Sequence, residues 1–242
     1  MQSRRYQKDP NINYWILFTG VDPRAFTRDF LNSNDKNMYR CWNSYDISQH
    51  LLLVRMPNSV AHEIAHGTFE RKLFEALLPM SLEDRLESLR STPFRAQSGA
   101  GKQADSSFAP DQLPQGRTDY WPTLVVETGF SESSSKLFSD VRWWLNESGG
   151  DVKMVLTIEI DRNRPQIVLE IWVLENSRMQ RQQVVTVYKG NNNHVYLQGQ
   201  PLVIDFEKLF LRPANTPRET DITLDDPALK KIATSVWKKQ NF

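Results

Sequence analysis

A single cysteine, Cys41, stands in a chain of 242 residues. No internal disulfide framework can form, and a thiol-rich zinc ribbon is excluded. No segment reaches the ~18 apolar residues that crossing a bilayer takes. The charges nearly cancel, 30 Lys and Arg against 29 Asp and Glu. A net charge of +1 excludes a globally basic nucleic-acid coat. It leaves room for a local basic patch, because association follows the local field. The opening run Met1-Gln2-Ser3-Arg4-Arg5 is charged, with no apolar stretch behind it. Neither a signal peptide nor an anchor is expected, so the expected location is intracellular, nucleus or cytoplasm. There is no internal repeat and no long low-complexity tract.

What is present is a folding composition, 39% hydrophobic and 11% aromatic, too apolar for a disordered chain. The length allows one or two domains, and one α/β domain of this size buries a core without staples. Residues 1–13 are polar and expected to be flexible. Tyr14 to Phe18 suits a strand, and Asp22-Pro23 suits a helix start running to about Asn32. Residues 33–46 look turn-rich, and Leu51 to Val54 is a short buried-strand candidate. Asn58 or Ser59 can cap a helix over about 60–78, in which Ala61, Ala65, Phe69, Leu73, Ala76 and Leu77 draw an apolar stripe. A second helix is expected over about 81–91, with Ser81 and Asp84 as a capping box. Residues 93–119 look loop-like, with a short strand at 104–108. Thr123 to Thr128 reads as a buried strand, followed by a helix capped by Ser133 and closed by Gly149-Gly150. Val152, Met154, Leu156, Ile158 and Ile160 alternate as a strand. Gln166–Leu174 follows it across the turn Asp161 to Arg164, and a second hairpin joins Gln183–Tyr188 to Val195–Leu197. A last strand is expected within Pro201–Phe206 and a terminal helix over Pro227–Gln240. Interspersed helices and strands predict one mixed sheet with flanking helices.

Three patterns carry chemistry. His62-Glu63-Ile64-Ala65-His66 is an HExxH match on the first long helix, where two imidazoles one turn apart can share zinc and the glutamate can act as base. No third histidine follows at metzincin spacing, Lys72 standing there instead. The competing reading is that both histidines flank an ordinary packing stripe. The second pattern is three acids: Glu63 on a helix, Asp105 on a short strand and Glu127 at the end of an apolar strand. A carboxylate in such a place is costly unless it is paired or binds metal. Lys136 and Asp140 follow, and by composition alone they read as a surface i,i+4 pair. The third is charge: Asn176 to Ile204 holds no acid but has Arg178, Arg181 and Lys189, and Lys230, Lys231, Lys238 and Lys239 end the chain without one. These suit phosphate contact, or a solvated face and a basic tail. Trp144 is expected in the core, while Trp143 is open to either packing or base stacking.

The run Trp121-Pro122-Thr123-Leu124-Val125-Val126-Glu127-Thr128-Gly129-Phe130-Ser131-Glu132-Ser133 is followed by Lys136-Leu137, Asp140 and Arg142-Trp143-Trp144-Leu145. It resembles a family of fungal proteins that look like members of the restriction-endonuclease-like PD-(D/E)XK superfamily. It is also similar to small bacterial proteins with a Pro-Asp-Leu-Val-Val-Glu-Val-x-Ser strand end. Ser44-Tyr45-Asp46, Arg55-Met56-Pro57, Ala104 to Pro110 and Gly199 to Leu202 add weaker matching pieces. The resemblance spans about residues 40–212 and is specific over 104–174.

It implies an α/β (α+β) fold, a restriction-endonuclease-like core with a central mixed β-sheet flanked by helices, as a single domain over 1–242. It implies a Mg²⁺- or Mn²⁺-dependent nuclease hydrolysing phosphodiester bonds of DNA. Asp105 matches the first strand acid and Glu127 the acid of the (D/E)XK element. Glu63 matches the helix glutamate, with Glu70 as the alternative. The pattern departs at Gly129, where a lysine belongs; Lys136 or Arg142 is expected to take its part from the following helix. Asp105, Glu127 and the Thr128 carbonyl would be the metal ligands, hard oxygens that suit such ions. Arg142, Arg178, Arg181 and Lys189 would meet nucleic acid. No membrane partner is implied, and a homodimer is compatible by family analogy alone. The alternatives are the same fold without catalysis, as a nucleic-acid-binding or interaction module, and a zinc metallopeptidase on His62 and His66.

Overall fold

The computed structural model describes residues 15–33, 35, 41–55, 59–131, 134–199 and 201–242. The flexible end expected at 1–13, and the caps expected at Asn58 and Ser133, lie outside the described residues.

The chain opens with β1 (Trp15–Phe18) and α1 (Pro23–Phe26), which runs on as a π-helical turn over Thr27–Leu31. Pro23 sits in the first turn, and the Asp22 carboxylate accepts from the Arg24 and Ala25 amides, so the expected start is the observed one. β2 (Trp42–Asp46) and β3 (Leu51–Arg55) pair antiparallel, with β1 on the outer side of β3. Phe26 stacks on Tyr45 at 4.1 Å and meets Trp42 edge-on at 5.0 Å. With Leu52 and Val54 these rings make a small separate core.

Helix α2 (Val60–Leu77) starts where Ser59 Oγ accepts from the His62 amide. Its stripe Ala61, Ala65, Phe69, Leu73 and Leu77 is buried as expected. The second helix expected over 81–91 does not form. Ser81 takes a left-handed conformation, φ 56°, and closes the preceding turn instead of opening a new one. A short 3₁₀ turn at Glu83–Arg85 leads into β4 (Leu86–Ser88), and Leu82 and Leu86 go into the core. The stretch expected to be loop holds β5 (Pro93–Arg95), β6 (Gly101–Gln103) and β7 (Ser106–Pro110). These strands bury Lys102, Gln103, Ser106 and Ser107, so no apolar alternation betrays them. The short strand expected over 104–108 is β7, which begins just after Asp105 and runs on to Pro110.

The centre follows. β8 (Leu124–Phe130), α3 (Ser134–Glu147) and β9 (Met154–Ile160) form a strand–helix–strand crossover, and β8 lies parallel to β9 from Leu124↔Met154 to Phe130↔Ile160. β10 (Gln166–Glu175), β11 (Arg178–Lys189) and β12 (Val195–Gln198) continue as an antiparallel meander. The chain ends with β13 (Leu202–Ile204), α4 (Phe206–Phe210), β14 (Ile222–Leu224) and α5 (Asp226–Gln240).

Among the described residues the strands form three sheets, where one was expected: a mixed sheet in the order β12-β11-β10-β9-β8-β7-β4, an antiparallel sheet β1-β3-β2-β6-β5, and the pair β13-β14. The seven-stranded sheet is flanked by helices, as the interspersed pattern implied. Val126, Leu156 and Ile158 meet α2 and α5 in one core cluster, while Val125 and Val155 meet Val141, Trp144 and Leu145 of α3 in another. Covering on both faces is why Leu124, Val125 and Val126 of β8 follow one another without polar alternation. Asp105 sits between β6 and β7, where the chain passes from the five-stranded to the seven-stranded sheet. Among the described residues no helix is long and apolar enough to cross a membrane.

Candidate active site

Strand alternation sends Glu127 to the α3 face. There Glu127 Oε1 accepts from Trp144 Nε1 at 2.6 Å. Glu127 is 2% exposed. Burial, then the neighbouring Asp140 and Asp105 carboxylates, push its pKa up from the ordinary 4.5 to about 8, against the pull of Lys102 and Lys136. Asp105 Oδ2 accepts from the Thr128 amide at 2.7 Å and stands 3.1 Å from His62 Nε2. The two acids expected as a pair are therefore both buried at the junction of the sheets, close enough for each charge to be felt by the other.

Two lysines answer them. Lys102 of β6 and Lys136 of α3 both donate to Asp140 Oδ1, and Lys136 Nζ also donates to Asn43 Oδ1 at 3.0 Å. Burial alone would lower the Lys102 pKa, but the Asp140 and Glu127 charges outweigh it and raise it. Burial, then the Lys102 charge, bring Lys136 down to about 8. Lys136 and Asp140 thus pair at i,i+4 as composition suggested, but with Asp140 buried rather than at the surface. Lys102 was not foreseen: it lies in a polar stretch, three residues before the strand acid, where no spacing rule places a site lysine. Arg142, two residues beyond Asp140, turns outward and is exposed.

On the α2 face the HExxH residues gather. His62 is fully buried, and its Nε2 donates to the Thr128 carbonyl at 2.9 Å beside Asp105 Oδ2. The Thr128 carbonyl, expected as a metal ligand, accepts from this imidazole and keeps its second lone pair. His62 Nδ1 lies 3.5 Å from Glu63 Oε1, and His66 Nε2 lies 3.4 Å from Glu63 Oε2. His66 Nδ1 is 3.0 Å from Ser106 Oγ. A cleft of about 630 Å³ opens over this group, lined by Glu63, His66, Glu70, Arg90, Gln103 and Asp105. Glu63 and Asp105 share it.

The basic residues expected to meet nucleic acid are not one patch. Arg178, Arg181 and Lys189 lie along β11, which is separated from β8 by β9 and β10. Arg178 and Lys189 end the strand at opposite tips, roughly 35 Å apart at ~3.3 Å per residue. Arg181 is paired to Glu170 at 2.7 Å and covers the Trp172 ring. Trp144 is in the core, and Trp143 packs half-buried against it and Trp121.

No family model and no curated protein matches the chain. Among solved structures it is similar to a protein from Anabaena variabilis described as a "putative nuclease belonging to DUF820", with a TM-score of 0.44 and 10% identity over 80% of this chain and 90% of that one. So loose a likeness carries no argument about chemistry.

Proposed function

We propose that this chain is a divalent-metal-dependent nuclease with a restriction-endonuclease-like PD-(D/E)XK core, hydrolysing phosphodiester bonds of DNA. One observation carries the proposal: two buried carboxylates, Asp105 and Glu127, lie near each other at a sheet junction beside Lys102 and Lys136, and burial, then the neighbouring carboxylates, hold Glu127 up to about 8. A hard cation between them removes that penalty, so the donor set fits Mg²⁺ or Mn²⁺. Asp105, Glu127 and the second lone pair of the Thr128 carbonyl would hold the ion. When bound, such an ion supplies Lewis acidity toward a phosphodiester oxygen and lowers the pKa of a water. Asp105 keeps its orientation through the Thr128 amide, and Trp144 fixes the Glu127 carboxylate. Lys136, half-buried, replaces the lysine absent at Gly129 and offers positive charge to the phosphate in the transition state. Lys102 holds Asp140 in place behind it. Glu63 stands beside the two imidazoles and shares the cleft with Asp105.

The test is cleavage of supercoiled plasmid by metal-stripped protein with added Mg²⁺ or Mn²⁺, set beside Asp105→Ala and Glu127→Ala. Metal-dependent nicking by the wild type, lost by at least about 100-fold in both variants, is the expected result. Equal activity in all three removes the proposal. A catalytically silent nucleic-acid-binding module is the second reading, favoured by the commitment of both lysines to Asp140. It predicts retained DNA binding with no cleavage in any of the three.

A further inference from the structure

We propose that His62, Glu63 and His66 form a second cation site, for a transition metal of the zinc class, on the α2 side of the acid pair. Ligand atoms from the three residues all lie within 4.8 Å of one another. The Glu63 carboxylate lies between the imidazoles and gives one oxygen to each, Oε1 3.5 Å from His62 Nδ1 and Oε2 3.4 Å from His66 Nε2, each near the ~3.3 Å ligand–ligand spacing around zinc. Two imidazoles with a single carboxylate favour zinc over magnesium.

The surroundings are those of a metal site as well. A backbone carbonyl only accepts, so the contact to Thr128 puts a proton on His62 Nε2 and turns Nδ1 toward Glu63 as the basic nitrogen. Asp105 Oδ2 stands 3.1 Å from the same Nε2. His66 is oriented in the same manner by the buried Ser106 hydroxyl at its Nδ1. Imidazoles that bind metal are typically held through the other ring nitrogen by a carboxylate, carbonyl or hydroxyl, which fixes the tautomer and raises basicity. Glu63 and His66 line the cleft, so the ion has an entry path, and three protein donors leave a coordination position open for water or an anionic ligand.

The arrangement differs from a zinc peptidase. There the HExxH glutamate stands off the metal as a base; here the Glu63 oxygens face both imidazoles, and Glu63 is a ligand. The site draws its ligands from other residues than the nuclease proposal, using neither Glu127 nor either lysine; the two share Asp105, which stands beside His62 Nε2.

The experiment is calorimetric titration of the metal-stripped full chain with Zn²⁺, with Co²⁺ substitution read by visible absorption. Circular dichroism confirms folding of each variant. The wild type should take up about one Zn²⁺ per chain and give a Co²⁺ spectrum of low coordination number. His66→Ala and Glu63→Gln should each weaken binding by more than tenfold and alter that spectrum, and Ser106→Ala by about tenfold. No uptake by the wild type overturns the proposal, as does affinity unchanged in His66→Ala and Glu63→Gln. Zinc uptake with no plasmid cleavage in Mg²⁺ or Mn²⁺ refutes the nuclease proposal alone. Cleavage with no zinc uptake refutes the zinc site alone.

Discussion

Replacing Lys102 with methionine isolates the electrostatic support beneath the acid pair. The Lys102 and Asp140 side chains are 3% and 6% exposed. Removing one partner of so buried a pair costs ~3–5 kcal/mol, because the remaining charge is left without water or a counterion. Lys136 still holds Asp140, which puts Lys102→Met toward the lower end, about 3 kcal/mol. The Lys136 side chain is 23% exposed and can regain water, so Lys136→Met should cost clearly less. The double variant Lys102→Met with Asp140→Leu exchanges a buried pair for apolar volume and should recover part of the single loss, since such exchanges are often near neutral. Urea unfolding followed by tryptophan fluorescence gives the three values, provided the slope with denaturant stays constant. A Lys102→Met chain within ~0.5 kcal/mol of wild type would refute the reasoning, because that is the range of surface substitutions.

The acid pair also sets a pH dependence. Glu127 binds its proton up to about 8 in the folded chain against 4.5 ordinarily, so folding is favoured most at low pH. That contribution is lost as pH rises from about 4.5 to about 8; Glu127→Gln should flatten the loss in a series of unfolding midpoints. Lys136 sheds its proton near 8 rather than 10.5, so its own contribution climbs between those values, and Lys136→Met should remove the climb. Trp144→Phe takes away the indole donor to Glu127 and should destabilise by ~1–3 kcal/mol in the same assay, as an unsatisfied buried acceptor does. Gly199→Ala would set a Cβ 2.2 Å from the Val184 carbonyl oxygen at φ +81°; a fall of more than ~1 kcal/mol in unfolding free energy is expected.

Where one face or both faces of an element are apolar, the sequence was informative. The α2 stripe, the β8 run and the β9 alternation all appear within a few residues of their expected limits. Where strands bury polar side chains, it was silent. β6 carries Lys102 and Gln103 inward, and β7 carries Ser106 and Ser107, because their partners come from α3, α2 and the loop before β5, all distant in sequence. Ser81 misled for a local reason: the same residue types open and close helices, and the backbone conformation that decides between them is set by where Leu82 and Leu86 must go. The site shows the same division. Asp105, Glu127 and Lys136 could be named from resemblance, although Glu127 lies in the middle of β8 and not at the strand end expected, whereas Lys102 and the orientation of His62 toward Thr128 depend on tertiary contacts that no spacing encodes.

Anomalous diffraction from crystals soaked in Mn²⁺ decides whether Asp105 and Glu127 hold a divalent cation, as proposed. A manganese peak bounded by the Asp105 and Glu127 carboxylates, lost in Glu127→Gln, is the expected result. Density confined to His62, Glu63 and His66, or no density at the acid pair, would contradict it.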